Sequence, residues 1–228
     1  MQAQELAKTI DHTLLRPDTV SSEVERLCLE ATTYHFAAVC VLPHFVPLAD
    51  GLLRGADVKV CTVIASPYGA ETVRTKVVAA EDAVARGADE LDVVINLPAL
   101  LSGDFGLVRD DLAGVIRAGR MKAVNTGRGQ VIVKAIIETC YLTTKMKRLA
   151  CRICEQAGVD FVKTSTGTGP GGATVKDVEL LRDCLDERIG VKAAGGIRSL
   201  RDVELMINAG AVRVGTSAGV GIMQDFLA

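Results

Sequence analysis

Short apolar runs rich in β-branched residues alternate with stretches of helical period along all 228 residues, the pattern of a parallel α/β fold. The runs predict strands at Thr9–Thr13, Ala37–Leu42, Lys59–Ala65 and Glu90–Asn96, then at Gln130–Ile137, Asp160–Ser165, Gly190–Gly195 and Val212–Gly215. Helical periodicity falls on Ser21–Tyr34, Ala70–Arg86, Thr143–Ala157, Val175–Leu185 and Leu200–Ala209. Gly87, Gly158 and Gly210 stand just past the last turns, where glycine tolerates the left-handed conformation that ends a helix. Gly103–Gly106 and Asn125–Gly129 read as loops. Eight strands with interleaved helices in a chain of this length predict one α/β domain over residues 1–228, a single (β/α)8 TIM barrel. An open doubly wound sheet is the competing architecture, since alternation by itself does not close a barrel.

Polar residues that interrupt apolar strands mark the chemistry, because reacting groups in a barrel sit at the carboxyl ends of its strands. Lys163 and Lys192 break the sixth and seventh strands and would be neighbours a few ångströms apart, adjacent strands being spaced by about 4.8 Å. Burial and a like charge nearby both favour a neutral amine, which can attack a carbonyl to form a Schiff base. On the fourth strand the period of two puts Asp92, Val94 and Asn96 on one face. Lys134 interrupts the fifth strand, shares a face with Glu138, and can neutralise Asp92 across adjacent strands. The structural alternative is that Lys163 and Lys192 reach to the barrel rim and only balance Asp92. Asp11, at the end of the first strand, suits either a catalytic role or a cap on the helix after Pro17.

Two glycine clusters follow the last two strands, Gly195-Gly196 and Gly215-Thr216-Ser217-Ala218-Gly219. Phosphate sites in barrels are often built from the loops in these positions, so a phosphorylated substrate is expected. Gly167-Thr168-Gly169-Pro170-Gly171-Gly172 satisfies a dinucleotide glycine pattern, but no strand-ending acidic residue lies at the required distance beyond it.

Composition narrows the class further. The chain is 49% hydrophobic and 24% charged with a formal net charge of −2, which gives no global support for nucleic-acid or anionic-membrane binding. Met1–Asp11 lacks a basic segment followed by an apolar one, and no run is long enough to span a bilayer, so a cytoplasmic protein is expected. Seven cysteines, an odd number, read as free thiols. Cys151 and Cys154 form a CxxC with no second pair to close a metal site, and the three histidines lack zinc-ligand spacing.

Several blocks together resemble deoxyribose-phosphate aldolases, class I aldolases on a (β/α)8 barrel. They are Ile10–Leu15, Val39–Val41, Glu90–Asn96, Lys134–Thr139, Phe161–Gly167, Lys192–Arg198 and Arg213–Ser217. The resemblance implies reversible cleavage of 2-deoxy-D-ribose 5-phosphate to glyceraldehyde 3-phosphate and acetaldehyde, with no metal or organic cofactor, by a homodimer. It implies Lys163 as the Schiff-base lysine, Lys192 as the second lysine that keeps it neutral, and Asp92, linked to Lys134, as the proton donor and acceptor. It places Asp11, Cys40 and Thr166 in the pocket and Gly195, Gly196, Gly215 and Ser217 in the phosphate cradle. Ala218 departs from the pattern, standing where many members carry a second serine. Cys40 reads either as a packed strand residue or as a thiol open to aldehydes. A phosphosugar isomerase would need a carboxylate base and no paired lysines, and a non-enzymatic phosphate binder would need none of Lys163, Lys192 and Asp92.

Overall fold

Every strand found in the computed structural model, which covers residues 1–228, is parallel to its two neighbours, and the eight close into a barrel in sequence order. They are β1 (Ile10–Leu14), β2 (Ala38–Val41), β3 (Lys59–Ile64), β4 (Glu90–Val94), β5 (Ile132–Ile136), β6 (Phe161–Lys163), β7 (Gly190–Ala194) and β8 (Arg213–Thr216). Closure comes from β1 pairing β8 through Ile10 to Val214 and Asp11 to Gly215. The open doubly wound alternative is thereby excluded.

Both faces of these strands are covered, so the outward residues Leu91, Val93, Val133 and Val162 pack under helices while alternate residues fill the barrel. Threonine and serine caps start four of the expected helices, the one expected from Ala70 beginning three residues later at Val73. Thr72, Thr143, Thr174 and Ser199 each accept a hydrogen bond from the amide three residues on. Gly87 and Gly158 end helices with φ of 128° and 86°.

Several expectations shift: the fifth strand starts at Ile132 where Gln130 was expected, and the sixth ends at Lys163 where Ser165 was expected. The first strand begins and ends one residue later than its apolar pattern suggests. Asn96 leaves the strand face it was assigned: its side chain accepts from the Ala99 amide and caps the helix Leu97–Leu101. The stretch between the two expected loops is a helix of 22 residues, Phe105–Thr126, the longest in the fold. It packs on Val73–Arg86 through a buried ion pair, Lys76 Nζ to Asp111 at 2.6 Å. Gly119 lets it approach β4, since a Cβ there would lie 3.2 Å from the Leu91 side chain. No helix is long and apolar enough to cross a membrane.

Candidate active site

The barrel interior carries charge where most barrels carry aliphatic side chains. Strand register makes Asp92 the partner of Lys134, and Lys163 the partner of Lys192, so a period of two points all four side chains inward. Each is 2% exposed or less. The alternative of lysines reaching out to the rim is therefore overturned.

Asp92 is the hub. Its Oδ2 accepts from Lys163 Nζ and from Lys192 Nζ, both at 2.7 Å, and its Oδ1 accepts from Lys134 Nζ at 2.9 Å. Burial works against the Asp92 carboxylate, but the three ammonium groups outweigh it and hold the acid well below the usual carboxylate range. Burial likewise disfavours the Lys192 ammonium, and Asp11 and Asp92 outweigh it, so Lys192 stays charged. Lys134 is raised for the same reason by Asp92, Glu90 and Asp11. The expected pairing of Lys134 with Asp92 is present.

Asp11 does not cap a helix. It is fully buried on β1, 2.5 Å from Lys192 Nζ and 2.7 Å from Arg213 Nε, while the helix Ser21–Tyr34 is preceded by Val20 at its cap position. Cys40 is fully buried on β2 opposite Cys61 of β3, and packs with Ala38 and Val63. The neighbouring Cys61 thiol draws the Cys40 thiol below the ordinary range against the effect of burial. Cys61 Sγ lies 3.2 Å from Asp92 Oδ1 and 3.3 Å from Lys134 Nζ. Cys40, Cys61 and Asp92 bring three potential ligand atoms within 4.8 Å of one another, as do Asp11, Cys61 and Glu90. The ammonium groups around both sets oppose a cation there.

Lys163 opens onto a cavity of about 600 Å³ at the carboxyl ends of the strands. Thr166, Gly195, Gly196, Gly215 and Ser217 line it with Lys163, as the glycine clusters suggested. Gly195 and Gly196 have φ of 91° and 82°, a region that side chains rarely adopt. The rejected dinucleotide pattern has a different use. A Cβ on Gly172 would lie 2.2 Å from the Gly195 carbonyl oxygen, so this glycine lets the loop after β6 close on the loop after β7. The Ala173 amide fastens the contact by donating to Ala194 and Gly195. Thr166 lies in the cavity wall, but its amide and hydroxyl both donate to Glu138, at 3.1 and 2.5 Å.

Glu138 does not continue the β5 face shared with Lys134. It adopts a left-handed conformation with φ of 50° and aims its carboxylate at the β6 loop.

Sequence reasoning left Glu90 and Arg213 without a role. Arg213 Nη2 donates to Glu90 Oε1 and Oε2 at 2.7 and 2.8 Å, and Lys134 Nζ is 2.5 Å from Glu90. The period of two carried the signal, since Glu90 stands two before Asp92 and Arg213 two before Gly215. Arg198 was noted only as a flank of the glycine pair. It is exposed on the cavity wall beside Gly195 and Gly196.

Residues 6–225 match the model of the DeoC/LacD family aldolases. The chain is 51% identical over 221 residues, 97% of its length and 96% of the relative's, to the deoxyribose-phosphate aldolase of Thermoanaerobacter sp. (strain X514). It is 47% identical over 224 residues, 98% of its length and 96% of the relative's, to that of Clostridium perfringens (strain 13 / Type A). Its fold superimposes with a TM-score of 0.89 and 33% identity on the tetrameric deoxyribose phosphate aldolase of Aeropyrum pernix, over 100% of this chain and 93% of that one. A buried lysine pair on one carboxylate, a glycine-walled cavity above it and these likenesses agree: the chain belongs to the DeoC/LacD family of aldolases.

Proposed function

We propose that residues 1–228 act as one catalytic domain that reversibly cleaves 2-deoxy-D-ribose 5-phosphate to D-glyceraldehyde 3-phosphate and acetaldehyde, with Lys163 as the Schiff-base nucleophile. The observation that carries this reading is the position of Lys163. Of the three lysines around Asp92 it is the one that lines the cavity, and the glycine cradle stands beside it.

The neutral Lys163 amine attacks the C1 aldehyde of the open-chain sugar, and the carbinolamine loses water to give an iminium. A base removes the 3-hydroxyl proton and the C2–C3 bond breaks. Glyceraldehyde 3-phosphate departs, and the electron pair is left as an enamine. Asp92 moves these protons; its hydrogen bonds from Lys163, Lys192 and Lys134 support that role. Protonation at C2 and hydrolysis release acetaldehyde and free the lysine. The iminium is the electron sink, so the reaction as written calls on no metal or organic cofactor.

Gly195, Gly196, Gly215 and Ser217 hold the phosphate, with Arg198 adding a guanidinium, a group suited to phosphate oxygens. Asp11 holds Lys192, and Cys40 packs behind the pocket. The partners are the phosphorylated sugar and acetaldehyde, with a second copy of the chain in a homodimer, as the family resemblance implies. Seven free cysteines suit the reducing cytoplasm. Release of glyceraldehyde 3-phosphate from 2-deoxyribose 5-phosphate, followed with a coupled dehydrogenase, tests the activity. No release by the native chain, or release that persists in Lys163→Leu, contradicts it.

A further inference from the structure

We propose that Arg213 and Glu90, on the inward face of the strands beneath the reacting groups, are positioning residues that set which buried lysine gives up its proton. The proposal rests on the reading of Lys163 as the Schiff-base nucleophile.

The interior cluster holds four cations, Lys134, Lys163, Lys192 and Arg213, and three carboxylates, Asp11, Glu90 and Asp92. With every group ionised, one positive charge is left over in a buried place, where an uncompensated charge is expensive. Arg213 cannot shed it, because a guanidinium keeps its proton throughout the range in which proteins fold. Arg213 is also fixed: it donates to Asp11 and to both oxygens of Glu90, and its guanidinium stands 5.8 Å from the centre of the Phe161 ring. The surplus must therefore leave from a lysine.

The three lysines are not equivalent. Lys134 is within 3.7 Å of all three carboxylates, at 2.5 Å from Glu90, 2.9 Å from Asp92 and 3.7 Å from Asp11. Lys192 has two, Asp11 at 2.5 Å and Asp92 at 2.7 Å. Lys163 has one, and shares that same Asp92 oxygen with Lys192. It is the least compensated ammonium and the one that faces the cavity.

Around the site, Asp11 faces in from β1, Cys40 from β2, Cys61 from β3, Glu90 and Asp92 from β4, Lys134 from β5, Lys192 from β7 and Arg213 from β8. Burial holds the Cys61 thiol well above its ordinary range, so Cys61 adds no charge. Remove Arg213, and three cations face three carboxylates, with no surplus to expel. Remove the Glu90 charge, and the surplus grows.

The test is the pH dependence of kcat/KM for aldol cleavage in Glu90→Gln, Arg213→Gln and the double variant. Its rising limb reports loss of the Lys163 proton in the free enzyme. The limb is expected about one pH unit lower in Glu90→Gln and about one unit higher in Arg213→Gln, and near the native position in the double variant. If Arg213→Gln does not fold, the isosteric Glu90→Gln decides by direction alone. A limb that stays in place, or moves to higher pH, in Glu90→Gln overturns the proposal.

Cys40→Ser covers the alternative that a thiolate supplies the missing negative charge. A limb displaced as far by Cys40→Ser as by Arg213→Gln overturns the proposal, and a smaller displacement supports it. Peptide mapping of each variant after acetaldehyde and borohydride keeps the two readings apart. An adduct absent from Lys163 in the native protein sinks the Schiff-base reading, whereas an adduct on Lys163 with the limbs unmoved sinks only this one.

Discussion

Lys163 and Lys192 each donate at 2.7 Å to one and the same oxygen, Oδ2 of Asp92. A single carboxylate oxygen is thus asked to compensate two ammonium groups, and the one with a second carboxylate, Lys192 with Asp11, holds its proton. The two like charges are therefore unequally compensated, Lys163 having one carboxylate and Lys192 two.

Replacing Lys192 with alanine leaves Asp92 Oδ2 to Lys163 alone, while Lys134 stays on Oδ1. The rising limb of the kcat/KM profile is expected to move to higher pH, with a loss of about 100-fold or more near neutrality. A profile with an unchanged limb counts against coupling between the two lysines.

Asp92→Asn removes the counter-ion of three buried ammonium groups. Two effects are expected together, a fall in kcat of about 10²- to 10⁴-fold and a loss of stability of about 3–5 kcal/mol. Steady-state kinetics beside urea denaturation separates them, and native-like turnover in a folded variant would remove Asp92 from the proton path.

The positions of the strands were legible because their apolar residues are buried on both faces of a parallel sheet, which leaves continuous valine and isoleucine runs. Lys163, Lys192, Lys134 and Asp92 stood out for the converse reason, as charges inside such runs. Glu90 and Arg213 were hidden because their charge makes sense only when paired across 123 residues of sequence. The helix Phe105–Thr126 was obscured by Gly106, Gly114 and Gly119 inside it, since glycine weakens the helical signal. Asn96 was misplaced because a cap and a strand end look alike until the next helix is seen to start.

Ala218 tests the phosphate cradle. Its amide donates to the Thr216 hydroxyl at 3.0 Å, and it precedes the helix Gly219–Leu227 beside Ser217. Ala218→Ser adds a hydroxyl worth about 1 kcal/mol in a satisfied hydrogen bond, so KM for the phosphorylated sugar is expected to fall about fivefold with kcat little changed. An equal gain for the unphosphorylated sugar would place the effect away from phosphate.

Gly172→Ala puts a methyl group against the Gly195 carbonyl, in the space that lets the two loops meet. The loops must part, so KM for the phosphorylated substrate is expected to rise more than kcat falls, and the melting temperature to drop. Equal KM in the variant and the native protein would show that the contact does not shape the cradle.

Buried charge also sets the pH limits of the fold. The Asp11 and Asp92 acids lie below their unfolded values, so their stabilisation is complete above about pH 4 and is lost as pH falls below that. Lys134 and Lys192 lie above theirs, so their contribution is complete below about pH 10 and is lost as pH rises beyond that. Melting temperature is expected to fall as pH drops below about 4 and again as it rises above about 10. A melting temperature unchanged across both limits would contradict it.

The central claim is that Lys163 forms the covalent bond and Lys192 does not. Intact mass and peptide mapping after acetaldehyde and borohydride measure this directly. The account predicts a gain of one ethyl group, mapped to Lys163 and absent from Lys163→Leu. No gain in the native protein, or a gain that survives Lys163→Leu or maps to Lys192, would contradict it.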